Sequence, residues 1–94
     1  MRTVAYCHRY WKEDASEQMQ RRHLCRKVSR ELGLSDTIEV EDFATLQRLC
    51  LREGYTQVIL PGIMHTPPEV VAWLKQQGIR VYDALRLKPT KASK

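Results

Sequence analysis

The sequence has no run of 18 or more apolar residues, so nothing in it has the length of a membrane-spanning helix. Its start, Met1-Arg2-Thr3, lacks the basic-then-apolar layout of a secretory signal, and the expectation is an intracellular, cytoplasmic protein. Cysteine is scarce. Cys7, Cys25 and Cys50 are an odd number, with no CxxC pair and no His/Cys cluster at metal-ligand spacing. That pattern argues against a disulfide framework or a zinc site and predicts reduced, mostly packed thiols. Neither glycine-rich phosphate-binding fingerprint follows the first apolar run, which disfavours a dinucleotide-binding or ATP-hydrolysing role; no cofactor and no metal are expected. There is also no internal linker and no low-complexity block.

What is present is a chain of 94 residues, the size of one domain. On the usual size scaling such a chain buries roughly 65% of the surface exposed when unfolded, enough for one modest core. The net charge of +5 favours acidic partners such as nucleic acid.

The organising feature occurs three times: an amphipathic stretch, a glycine, then a short β-branched or aromatic run. Gly33 precedes Thr37-Ile38-Glu39-Val40, Gly54 precedes Gln57-Val58-Ile59-Leu60, and Gly78 precedes Ile79-Arg80-Val81-Tyr82. Each glycine sits where a helix end needs a residue that tolerates the left-handed conformation, so each marks a helix feeding a strand. With a first strand over Thr3 to Cys7, the order is β-α-β-α-β-α-β. Asp14 and Glu17 read as a capping box opening the first helix, and Leu24, Val28 and Leu32 as its buried stripe. The second helix spans about 43–53, with Leu46, Leu49 and Cys50 inward. Thr66-Pro67-Pro68-Glu69 reads as the start of the third, a capping threonine and then proline, with Val70, Val71 and Leu74 inward.

Strands alternating with helices predict a parallel four-stranded sheet with right-handed crossovers, order 2-1-3-4, in a three-layer αβα arrangement. The expected domain is 1–85, followed by a basic flexible tail over 86–94.

In such sheets ligands bind beyond the carboxyl ends of the strands where the strand order reverses, here between strands one and three. Two loops meet that rule. The first carries Cys7, His8, Arg9, Tyr10, Trp11 and Lys12, and the second runs from Pro61 to Thr66 through His65, with Glu41 and Asp42 nearby. Cations interleaved with aromatic rings suit stacking on bases and pairing with phosphates. The plainer alternative is that Tyr10 and Trp11 pack over the sheet edge while the cations are solvated. On the first helix Arg22, Arg26 and Arg30 recur at spacing four beside Lys27; with Lys88 and Lys91 of the tail they form a candidate nucleic-acid footprint. Trp73 and the loop from Pro61 to Met64 are candidate contacts for a protein partner or a second copy of the chain.

Val4-Ala5-Tyr6-Cys7, with Gln20-Arg21-Arg22-His23-Leu24-Cys25-Arg26 on the first helix, resembles the start of a serine recombinase (resolvase/invertase) catalytic domain. Val40-Glu41-Asp42, Leu46-Gln47-Arg48-Leu49 and Gln57-Val58-Ile59-Leu60 fall where that family has its second strand, second helix and third strand. The resemblance spans about residues 3–85 and implies a flavodoxin-like order of strands. It does not carry the chemistry. The family's nucleophilic serine, in an Arg-x-Ser setting after strand one, is replaced by His8-Arg9-Tyr10 or, shifted, by Trp11; its arginine clamp after strand three is replaced by Pro61-Gly62-Ile63-Met64-His65. The resemblance therefore implies a shortened, non-catalytic binding or regulatory module. A second resemblance is to the IIB subunits of sugar phosphotransferase systems, whose phosphorylated cysteine stands where Cys7 does. It implies a cysteine-dependent phosphocarrier or small enzyme, although the bulky residues after Cys7 do not suit a phosphate cradle.

Overall fold

The computed structural model describes residues 2–34 and 36–87. The elements are β1 (Arg2–Tyr6), α1 (Ala15–Glu31), β2 (Ile38–Val40), α2 (Phe43–Arg52), β3 (Tyr55–Leu60), a 3-10 turn (Ile63–His65), α3 (Pro68–Gln76), β4 (Arg80–Asp83) and α4 (Ala84–Leu87). The strands form one parallel sheet in the expected order β2-β1-β3-β4, with Val4 opposite Ile38 and Val58 and Ile59 opposite Tyr82.

The glycine punctuation sets this order. Gly33 has φ 71°, and around it Leu34 N–H donates to the Ser29 carbonyl and Gly33 N–H to that of Arg30, the paired bonds of a Schellman ending. Gly78 (φ 68°) repeats the arrangement at the end of α3, where Ile79 N–H bonds Leu74 and Gly78 N–H bonds Lys75. The chain thus reverses within a few residues of each helix and returns to the sheet in the same direction.

Strand alternation then divides the core. Val4, Tyr6, Val58 and Leu60 face α2 and α3, meeting Leu46, Leu49, Val70, Val71 and Leu74. Ala5, Cys7 and Ile59 face the other way, against Cys25 and Val28 of α1 and Ala84 of α4. Helices therefore cover both faces, as expected of three layers. Burying a Leu such as Leu46, Leu60 or Leu74, all fully enclosed, contributes about 1.5–3 kcal/mol per side chain.

Two local expectations need correction. The buried residues of α1 are Gln18, Cys25, Val28 and Ser29; Leu24 is only half-buried and Leu32 is 42% exposed. Residues spaced by four advance roughly 40° around a helix at each step, which carries Leu24 off the face that Val28 and Cys25 share, and Leu32 is already the C-cap. Asp14 does cap α1, accepting from Ser16 N–H. Thr66 does not cap α3: Pro67 occupies the N-cap, and the Thr66 hydroxyl donates instead to the Gly62 carbonyl at 3.0 Å, bracing the loop ahead of the helix. Ala84 to Leu87 form a helical turn, with Asp83 Oδ1 accepting from Leu85 N–H at its start. Residues 88–94 lie outside the described residues. Among the described residues no helix is long and apolar enough to cross a membrane.

Candidate functional site

The loop after β1 begins as a continuation of the sheet, with Cys7 N–H on the Val40 carbonyl at 3.0 Å and Arg9 N–H on that of Glu41 at 3.4 Å. It then turns over residues 10–13. Tyr10 N–H donates to Glu13 Oε1 at 3.0 Å, Glu13 N–H returns to the Tyr10 carbonyl, and Lys12 takes a left-handed φ of 65°. A non-glycine residue held there costs on the order of 1–2 kcal/mol, offset by anchors on α1. Arg21 ion-pairs with the enclosed Glu13 carboxylate and donates to Gln18 Oε1, while Gln18 Nε2 donates to the Cys7 carbonyl at 3.0 Å.

The crevice between the loops after β1 and β3 is occupied by the protein's own rings. Burial, with Asp42 adding to it, pushes the Tyr6 phenol up to about 12, so it keeps its proton. It lies 2.7 Å from His8 Nδ1, within hydrogen-bond distance. The His8 ring meets Tyr10 edge-on at 4.6 Å, and Tyr10 Oη donates to the His65 carbonyl at 2.8 Å. His8 and His65 are thus brought into one region, but the link across it is the phenol of Tyr10 to a backbone oxygen. In the loop after β3, Gly62 has a φ of 151° that suits glycine, and a Cβ there would stand 2.6 Å from Leu85 Cδ1.

Outside this plug the loop presents its remaining side chains to solvent. Trp11 is 86% exposed, Lys12 Nζ lies 4.6 Å from the centre of its ring, and Arg9 is exposed with Glu41 at 3.4 Å. They border a shallow cleft of about 510 Å³ shared with His8, Tyr10, Asp42 and Phe43. Asp42 is committed to structure: its carboxylate caps α2 by accepting from Thr45 N–H at 2.9 Å, the bond that holds it below its ordinary value. Of the plainer reading of this loop, Tyr10 does pack inward and Arg9 and Lys12 are exposed, whereas Trp11 does not pack over the sheet edge.

Cys7 is not part of the cleft. One residue past Tyr6, it points to the α1 side, is 1% exposed, and has its Sγ 3.6 Å from that of Cys25. The basic stripe of α1 also divides. Arg22 Nε donates to Glu39 Oε1 at 3.1 Å and Arg26 forms a two-pronged pair with the same carboxylate, which these bonds, Arg26 first, hold below the ordinary carboxylate value. Lys27 and Arg30 remain exposed, Arg30 on a groove of about 610 Å³ between α1 and β2. Lys88 and Lys91 lie outside the described residues. Trp73 is half-buried and meets Phe43 edge-to-face at 5.6 Å over the α2/α3 core, so it is a packing residue more than a free contact.

Sequence reasoning overlooked Glu39 and the Glu13, Arg21 and Gln18 chain. Strand parity carried the signal for Glu39, since it pairs with Ala5 on the α1 side. Nothing in the spacing of Glu13 and Arg21 announced their pairing. Among the described residues no group of three or more His, Cys, Asp or Glu side chains is placed to hold a metal ion. A comparison with known protein families, curated proteins and solved structures finds no match to this chain. The finding that stands is the architecture, an α/β fold on a four-stranded parallel sheet ordered 2-1-3-4.

Proposed function

We propose that this chain is a non-catalytic, resolvase-like α/β binding module whose partner is single-stranded nucleic acid, held by the loop between β1 and α1. The observation that carries the reading is Trp11. A chain with one modest core leaves an indole 86% exposed on a loop whose flanks are pinned by Tyr10, Glu13 and Arg21. An aromatic face held out to solvent, with Lys12 against it and Arg9 beside the same cleft, matches what stacking on an unpaired base and pairing with its phosphates require. Duplex bases are already stacked on each other, so this arrangement favours the single strand.

What supports a non-catalytic reading is what stands in the places of the resembled machinery. His8 and Tyr10 fill the strand-end crevice, Cys7 is enclosed, and the segment after β3 offers Pro61, Gly62 and the exposed Ile63 and Met64 in place of arginines. With Arg22 and Arg26 engaged by Glu39, the footprint moves from the α1 stripe to the loop.

The test is fluorescence anisotropy with labelled oligo-dT and with a duplex of equal length, over a salt series. Stacking on one aromatic residue contributes about 1–3 kcal/mol, so Trp11→Ala should weaken oligo-dT binding roughly 5- to 150-fold, whereas a double Arg22→Gln, Arg26→Gln change should cost far less. Equal binding by the Trp11→Ala protein, or a preference for the duplex, overturns the reading.

A further inference from the structure

We propose that Cys7 and Cys25 are a modification site, a dithiol that a peroxide-class oxidant converts reversibly to an intramolecular disulfide. The two Sγ atoms are 3.6 Å apart, one just past the end of β1 and the other midway along α1, with the side chains 1% and 0% exposed. A disulfide needs about 2.05 Å between sulfurs. The remaining closure of about 1.5 Å is what rotation about the two Cα–Cβ bonds has to supply. Their surroundings, Ala5, Val28, Ile59 and Ala84, hold no competing nucleophile. Cys50 packs with the α2/α3 cluster on the opposite face of the sheet, which leaves Cys25 as the partner for Cys7.

Access comes through the groove between α1 and β2. Cys25 and Ala5 are in its lining, with Arg26, Arg30 and Glu39 along it. A peroxide molecule is small enough to enter; Arg22 and Arg21 favour the Cys7 thiolate, while burial and Glu39 oppose it. The pair also shares its protons unevenly: hydrogen bonding from Cys25 lowers the Cys7 thiol, and the same contact raises Cys25.

The chemistry balances. One thiolate attacks a peroxide oxygen, the O–O bond breaks, and a sulfenic acid and hydroxide form. The second thiol then attacks the sulfenic sulfur, forming the S–S bond and releasing water. Two thiols are oxidised and one peroxide is reduced to two waters. The disulfide encloses residues 7–25, a ring that contains the Trp11 turn and its anchors Glu13, Gln18 and Arg21. This inference is independent of the nature of the binding partner.

The experiment uses the folded full-length chain carrying Cys50→Ser, treated with a few equivalents of hydrogen peroxide, alkylated and digested. The expected result is a Cys7–Cys25 linked peptide, loss of both alkylatable thiols, and recovery of both with dithiothreitol. Cys25→Ala, in the same background, should stop at a Cys7 sulfenic acid that dimedone traps. Two thiols that stay alkylatable, or sulfinic or sulfonic acid on one cysteine beside a free partner, would each overturn the proposal.

Discussion

Replacing Gly62 by alanine tests how the loop after β3 is held against the rest of the fold. Gly62 has φ 151° and ψ 133°, a region that L residues occupy at a cost of about 1–3 kcal/mol. An added Cβ would lie 2.6 Å from Leu85 Cδ1, 3.2 Å from Leu85 Cγ and 3.1 Å from His65 Cδ2. The peptide cannot rotate freely to relieve this, because the Gly62 carbonyl accepts from both His65 N–H and the Thr66 hydroxyl, each at 3.0 Å. Leu85 can yield: it is 42% exposed on the outer side of α4, and turning it off its rotamer costs about 0.5–1.5 kcal/mol. Together the terms give a loss of about 2–4 kcal/mol, which at a urea slope near 1 kcal/mol/M is a midpoint lower by about 2–4 M. Equilibrium urea unfolding measures it. Leu85→Ala in the Gly62→Ala background should restore the steric part and leave the backbone part. A Gly62→Ala protein as stable as the wild type, or complete rescue by Leu85→Ala, would refute the reasoning.

Two further outcomes follow from buried polar groups. The Thr3 hydroxyl is enclosed in β1 with no hydrogen-bond partner among the described residues, so Thr3→Val should stabilise the fold by about 1 kcal/mol; a thermal melt should rise by roughly 4–8 °C, and a fall would mean the hydroxyl is satisfied. Glu39 is held below its unfolded value, near 4.5, by Arg26 and Arg22, so its contribution is present at neutral pH and drains away as pH falls below about 4.5 through the folded value. Glu39→Gln should flatten that acid limb in urea midpoints measured from pH 7 to 3; an unchanged slope would assign it to other carboxylates.

The fold was legible because its signals are short-range and repeat. Gly33, Gly54 and Gly78 all take the left-handed conformation that their positions implied, and β-branched runs such as Val58-Ile59 supply both faces of the sheet at once. The faces of α1 were harder to read, since most of that helix is polar and its inward positions include Gln18 and Ser29. A single buried residue such as Cys25 becomes visible only when the phase of α1 is set by the sheet beneath it. The candidate loop could be located from topology alone, because strand order fixes where β1 and β3 end together. Which of its side chains turn inward depends on contacts distant in sequence. Tyr10 closes on the carbonyl of His65, 55 residues away, and Glu13 on Arg21; these bonds leave Trp11 outside. The pairing of Arg22 and Arg26 was hidden for a similar reason, as the Glu39 carboxylate they share lies on another element.

The most direct test of the binding account reads Trp11 itself. In a Trp73→Phe background, which keeps an aromatic ring against Phe43, Trp11 is the sole tryptophan and its emission reports the loop. Oligo-dT should quench that emission to saturation at low salt, with an apparent affinity that falls as salt rises and that a Lys12→Glu change weakens further. Emission unmoved by oligo-dT while the chain remains folded would contradict the central claim.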